Sequence, residues 1–333
     1  MRRIVLLGGG GFFGSAIAEA LRERGCEPLT PSHAQVDVEN GEALLLNLQP
    51  RDVVIDAVGP FHQRTTTLLE IAIKVGFDVI DLSDNLSYAL AVNAMNERLN
   101  AADVRVFTSC SAVSAVTAAA VHTSRIESPI RVSVCLLPAS RDSSSAGTAA
   151  SLVRSLSRPI RMLHDGRLTS AIAWSRSRIF RVPPERREVR AYLGESADAV
   201  TLPRVWPNLR DVDFFVDTQA FGMNRLIATA TRLPAGRRLL ERLAPIGLPL
   251  AKLTGSHSGG YVVEASDDSR AVTTALVAQR RSYMAAVLPA TLAARSLASG
   301  SSQPPGVVPA ERLSDPDELF AELRKLGVEL HRF

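Results

Sequence analysis

Four consecutive glycines, Gly8 to Gly11, stand directly after the first apolar run, and Gly14 follows three residues later. Few sequence features restrict a fold as strongly. Ile4, Val5, Leu6 and Leu7 read as a strand buried on both faces. Beyond the glycines, Phe13, Ile17 and Leu21 recur at helical spacing and line one face, with Ala16 and Ala20 keeping the helix thin. Gly25 is placed to cap that helix. Strand, glycine turn and helix, in this order, spell Gly9-x-Gly11-x-x-Gly14. Such a turn lets backbone approach a pyrophosphate at the N-terminus of a helix. Gly8, Gly9, Gly11, Phe12, Phe13 and Gly14 are therefore assigned to a dinucleotide.

An acid normally follows about 20 residues later, on the ribose hydroxyls. Here a short strand at 26–29 runs into Thr30-Pro31-Ser32-His33, with no carboxylate at the tip. That favours NADP over NAD, because nothing there repels a 2′-phosphate. Ser32 and His33 are candidate contacts, although no guanidinium lies in this stretch. Thr30 and Asp37 complete the set on this side. A third strand is expected at 34–38, with the usual intervening helix deleted.

Strand and helix alternate up to about residue 120. Strands are expected at 52–58, 79–82 and 104–108, and helices at 65–75 and 86–101. This order predicts a Rossmann-type α/β domain, a doubly wound parallel sheet. Ligands bind at the carboxyl ends of such strands. Those ends carry Gly59-Pro60-Phe61, Ser83-Asp84-Asn85 and Ser109-Cys110-Ser111. Farther on, strands read at 131–137, 189–193, 212–216, 261–265 and 272–278, between arginine-rich stretches. They predict an inserted, mostly antiparallel α+β second domain. Helices are expected at 285–298 and 315–326, joined by a Ser/Pro/Gly linker. The expected division is 1–120, 121–282 and 283–333, the last returning to the first domain.

Composition narrows the class further. The 333 residues carry a net charge of +4, and nearly all the positive charge is arginine, a bias that fits a GC-rich bacterial genome. Three widely spaced cysteines give no disulfide framework and no thiolate zinc site, and six histidines form no HxxxH pair, so no metal is expected. No apolar run approaches the ~20 residues of a membrane span. The Arg2-Arg3 start fits a first Rossmann strand better than a secretion signal, and a cytoplasmic setting is expected. Aromatics are too sparse near the arginines for a nucleic-acid reader. None of the four tyrosines is followed by a lysine four residues on, which removes the short-chain dehydrogenases.

The stretch 52–61, ending Gly59-Pro60-Phe61, then a helix, then 76–83 with its Asp81-Leu82-Ser83, resembles the saccharopine dehydrogenase-like family of NAD(P)-dependent oxidoreductases. Segments 111–116, 147–152, 158–161, 165–167 and 305–307 resemble it as well, so the likeness runs nearly the whole length. It implies a Rossmann domain, an inserted domain carrying substrate contacts and often a dimer interface, and C-terminal helices. It also implies hydride transfer to or from a C=N, C=O or activated C=C bond of a small or lipid-like substrate, and a homodimer. The chain departs from the family at Asp84-Asn85 and at Val113-Ser114, both on the expected rim. Those departures keep a second reading open, a non-catalytic NADP-binding sensor or scaffold.

On this reading Ala57, Val58, Gly59, Pro60 and Phe61 approach the nicotinamide ribose and Ser83 stands near the ring, while Cys110 reads first as a buried structural cysteine and second as a backbone contact, with Ser111, to the nicotinamide amide. The catalytic candidates are His62, Asp84 and Arg141. A histidine donates a proton as hydride arrives, or else caps a helix. Asp84 orients an amine or hydroxyl, or else caps the next helix. Arg141 forks onto a substrate carboxylate. Ten arginines between Arg154 and Arg190 would attract an anionic or carrier-linked substrate, or else form a solvated face. The apolar stretch 239–253 reads as a core or dimer helix, with weak peripheral membrane contact as the alternative.

Overall fold

The computed structural model describes residues 1–143, 159–185, 187–231, 233, 238, 240, 242, 253–301 and 303–333. The expectations for 147–152, for Arg154 and Arg158, and for most of 239–253 lie outside the described residues. The chain divides into two units, 1–119 with 285–319, and 120–284 with 320–333.

In the first unit, β1 (Ile4–Leu7) is buried throughout. It leads through the glycine turn into α1 (Phe12–Arg22), which buries Ile17, Ala18, Ala20 and Leu21. Phe13 does not join that face; it stacks edge-on against Phe12 and is 37% exposed. The helix turns its apolar stripe inward only after its first turn.

Next come α2 (Gly41–Asn47), β2 (Val53–Asp56), α3 (Thr67–Val75) and β3 (Asp78–Asp81). They are followed by α4 (Leu86–Ala94), α5 (Asn96–Ala101) and β4 (Arg105–Phe107). The strands pair in parallel in the order β1-β2-β3-β4, and Gly306–Val307 adds a fifth strand beside β4. Apolar side chains from these elements, including Val54, Leu68, Phe77, Val79 and Val92, form one core cluster.

Four expectations need correction here. Residues 34–38 form turns and not a strand, and the helix thought deleted is present as α2. The alternating Val36 and Val38 are buried as a strand would bury them. The backbone closes on itself instead, with Glu39 N donating to Asp37 Oδ1, and Asn40 Oδ1 capping α2. The strand at 26–29 is reduced to a single parallel bridge, Leu29 to Val5. The helix expected at 86–101 is also two helices, meeting at Met95. The turn lets Asn96 Oδ1 accept the Val307 N–H at 2.8 Å.

In the second unit, β5 (Arg131–Leu137) is followed by β6 (Pro159–His164), β7 (Arg167–Ile172), β8 (Ser177–Val182) and β9 (Arg187–Gly194). β10 (Asp211–Val216), β11 (Gly259–Ser266) and β12 (Ala271–Ala278) complete the series. The pairings are antiparallel except for β5 with β10. The terminal strand Glu329–Arg332 pairs with β12, so 320–333 join this unit and not the first. The core packs Phe180, Phe215, Trp174 and Val262. Strands β6 to β8 escape a sequence reading because burial does not follow their apolar residues: Leu168, Ile172 and Ile179 are exposed, and no residue of β7 is buried.

Candidate functional site

The glycine turn is tightly closed. Gly11 N donates to Gly8 O at 2.9 Å. Gly8 has φ +81°, and a Cβ on it would lie 2.9 Å from the Ala57 carbonyl carbon. A Cβ on Gly14 would stand 2.1 Å from Gly8 O, whereas one on Gly10 would meet nothing within 4 Å. The turn is thus closed below, against strand and helix backbone, and open at Gly10. α1 starts at Phe12 with Gly11 as its N-cap, with no capping side chain and no acid in the first turn. Its own first turn therefore puts no carboxylate against the positive end of the dipole. These residues fit the pyrophosphate of a dinucleotide, which needs close backbone and N–H donors.

On one flank of β1 lies Leu29, and on the other lies β2. The chain beyond Leu29 supplies the adenosine-side candidates. Thr30 is exposed, and its Cγ2 packs against Gly9, 2.9 Å from where a Cβ would sit. Ser32 donates to Gln35 Oε1 at 3.0 Å, and His33 is exposed. Asp37 lies in the following turn and accepts from the Glu39 amide.

On the other flank, β2 ends in Asp56 and passes into Ala57, Val58, Gly59 and Pro60. Ala57 N donates to Leu7 O, so the loop starts paired with β1. Phe61 is buried and packs on Tyr88, ring centroids 5.3 Å apart. Asp56 is fully buried, and Arg64, with a side chain only 4% exposed, returns to it: Nη2 lies 2.9 Å from Asp56 Oδ2. Arg64 also donates to Val58 O at 2.8 Å and to Glu39 Oε1 at 2.6 Å. Burial works against the Arg64 charge, but the Asp56 and Glu39 carboxylates outweigh it and raise the pKa. Burial likewise opposes ionisation of Glu39, yet hydrogen bonds from Thr65 and Arg64 hold its carboxyl below the usual range.

At the end of β3, Asp81 is fully buried and accepts from the Ser83 and Ser109 amides at 3.0 and 2.8 Å. Burial pushes its carboxyl up to about 6 against those donors. Ser83 is buried, and its Oγ accepts from Asn85 N. Asn85 caps α4, accepting from Tyr88 N at 2.9 Å. Asp84 is exposed, and His62 is close enough to act on its charge. Cys110 is fully buried with Sγ toward Leu313 O, and burial raises its thiol. In the second unit, Arg141 donates to Leu253 O at 2.8 Å and lies 3.3 Å from His257 Nε2.

The first unit therefore gathers the glycine turn, 57–61, His62 and Asp84 at consecutive strand ends. Sequence reasoning missed Arg64, Glu39 and Tyr88. A buried strand-end aspartate demands a partner, and the arginine eight residues after Asp56 was the available signal. His164, Asp165 and Asp211 in the second unit bring potential metal-ligand atoms together, but Asp211 already pairs with Arg131 at 2.8 Å.

No family model matches the chain, and no curated protein matches it. Solved structures do. Apo saccharopine dehydrogenase (L-Glu forming) from Saccharomyces cerevisiae is 13% identical, covering 100% of this chain and 99% of that one, with a TM-score of 0.62. The DAP dehydrogenase of C. glutamicum in complex with DAP is 13% identical, over 96% and 98% of the two chains, with a TM-score of 0.42. An engineered D-amino acid dehydrogenase bound to NADP+ is 14% identical over 96% and 98%, also at 0.42. Among the described residues, no helix is long and apolar enough to cross a membrane. The parallel sheet with its glycine turn and the mixed second sheet, together with the first of these similarities, give the chain the saccharopine dehydrogenase-like fold.

Proposed function

We propose that the chain is an NAD(P)-dependent oxidoreductase that prefers NADP and transfers hydride to or from a C=N, C=O or activated C=C bond. The observation that carries this reading is the Gly8–Gly14 cradle, closed to any side chain from below and presenting an uncapped helix end. A dinucleotide crosses a parallel sheet where its connections diverge. The divergence here lies at β1, between Leu29 and β2.

The glycine turn would hold the pyrophosphate. Thr30, Ser32 and His33 would border the adenosine ribose, and the absence of an acid among them supports the preference for NADP. Residues 57–61, with Ser83 and the backbone at Cys110, would border the other half. A bound nicotinamide supplies or accepts the hydride. His62 would pass the accompanying proton to or from the substrate oxygen or nitrogen, and Asp84 would orient the substrate amine or hydroxyl. Arg141 is engaged by Leu253 O and His257, so a role on a substrate carboxylate requires it to exchange partners. A homodimer and an anionic or carrier-linked substrate belong to the same reading.

The test is titration with NADPH and NADH, followed by fluorescence and melting temperature, then a panel of carbonyl, imine and enoyl substrates. Binding of NADPH with turnover of one substrate class supports the proposal. If neither nucleotide binds, the reading fails. If NADPH binds tightly and no substrate is reduced, a sensor replaces the enzyme.

A further inference from the structure

One buried guanidinium governs the loop that follows β2. Val58 is gripped at both ends of its backbone: its N–H donates to Asp56 Oδ1 at 3.0 Å, and its carbonyl accepts from Arg64 Nη1 at 2.8 Å. The same Nη1 lies 3.1 Å from Asp56 Oδ1. The Arg64 guanidinium also sits 5.7 Å from the Phe61 ring centroid. Its far side is anchored by Glu39, which accepts from Thr65 Oγ1 at 2.5 Å and from Arg64 Nε. Ala57, one residue before Val58, is the backbone that leaves no room for a Cβ on Gly8. A chain of rigid contacts thus runs from Glu39 through Arg64 and Val58 to the glycine turn.

We infer that Arg64, held by Glu39, is a positioning residue for the nicotinamide half of the dinucleotide. It sets the height of 57–61 above β2 and the spacing of that loop from the glycine turn. The inference rests on the dinucleotide reading above. The chemistry requires arginine: three acceptors, on Asp56, Val58 and Glu39, are met at once by a planar fork, and a lysine ammonium cannot reach all three. A loop held in its bound geometry lowers the ordering cost of binding. On this reading the adenosine half lies with Thr30, Ser32 and His33 on the Leu29 flank, and the clamp touches that side only where the Glu39 amide donates to Asp37 Oδ1.

The experiment compares whole and half ligands. Dissociation constants for NADPH and NADH, and for the adenosine halves AMP and adenosine 2′,5′-bisphosphate, are measured by calorimetry on the full chain, with Arg64→Lys and the gentler Glu39→Gln. The whole dinucleotides should weaken at least about tenfold in Arg64→Lys, and less in Glu39→Gln, while the half ligands shift less than about twofold. Parallel weakening of whole and half ligands in Glu39→Gln, tracking its melting temperature, overturns the positioning role and leaves a structural one. Unchanged binding of all four in Arg64→Lys overturns it also. If the unaltered chain binds none of them, the dinucleotide reading itself falls, and the inference with it.

Discussion

Arg64 and Asp56 form an ion pair out of water, Nη2 to Oδ2 at 2.9 Å, directly under the loop that begins at Ala57. Such a pair is costly to break from one side, because the remaining charge stays buried. Asp56→Ala is expected to cost about 3–5 kcal/mol of folding stability, read from urea denaturation. The double change Asp56→Leu with Arg64→Met should cost less than the single one, since neither charge is then stranded. A milder single than double variant contradicts this account.

The glycines of the turn are not equivalent. Gly14→Ala places a Cβ 2.1 Å from Gly8 O, and backbone must move to admit it. The expected result is a loss of about 1–3 kcal/mol in stability, with weaker dinucleotide binding. Gly10→Ala meets nothing within 4 Å and should leave the melting temperature nearly unchanged. Equal effects at the two positions would refute the closed-below, open-above description.

Asp81 makes stability depend on pH. Folding raises its carboxyl to about 6 through burial. Between about pH 4, where the unfolded group ionises, and pH 6, the folded chain keeps a proton that the unfolded chain has released. Stability from this group is therefore greatest at low pH and falls as pH rises through that window, by on the order of 3 kcal/mol. Asp81→Asn removes the dependence. The difference in denaturation free energy between the two proteins should change across pH 4 to 6 and be flat above about 7; a flat difference throughout would disprove the assignment.

Cofactor preference should yield to one substitution. Thr30 occupies the tip after Leu29 where an acid would bind ribose hydroxyls and repel a 2′-phosphate. Thr30→Asp should shift the ratio of NADPH to NADH dissociation constants toward NADH by about tenfold or more. An unaltered ratio, with both nucleotides still bound, would remove the 30–33 stretch from the adenosine site.

The first unit was legible wherever local pattern and burial agree. The apolar run 4–7, the glycine turn and the Ile17/Leu21 stripe each report on the same strand-to-helix corner. Residues 34–38 misled because alternation records which side chains are buried, and turns at Asp37 and Asn40 bury Val36 and Val38 without any strand partner. Arg64 stayed hidden for a different reason. In sequence it is one arginine among many, and its role arises from Glu39, 25 positions away, and from a carboxylate whose burial is visible only in the folded sheet. Arg141 was chosen for its type, which suits a carboxylate, but the Leu253 carbonyl and the His257 imidazole, more than a hundred positions along the chain, engage it in the fold.

The fifth strand of the first unit arrives late. Arg105 on β4 reaches Gln303 O, 198 positions along the chain, just before Gly306–Val307 completes the sheet. During synthesis, β4 therefore lacks its Gly306–Val307 neighbour until 120–284 has been made. An open parallel edge is a template for wrong partners. This exposure is set by the order of connection, and nascent-chain aggregation should depend on how quickly 303–308 is released from the ribosome.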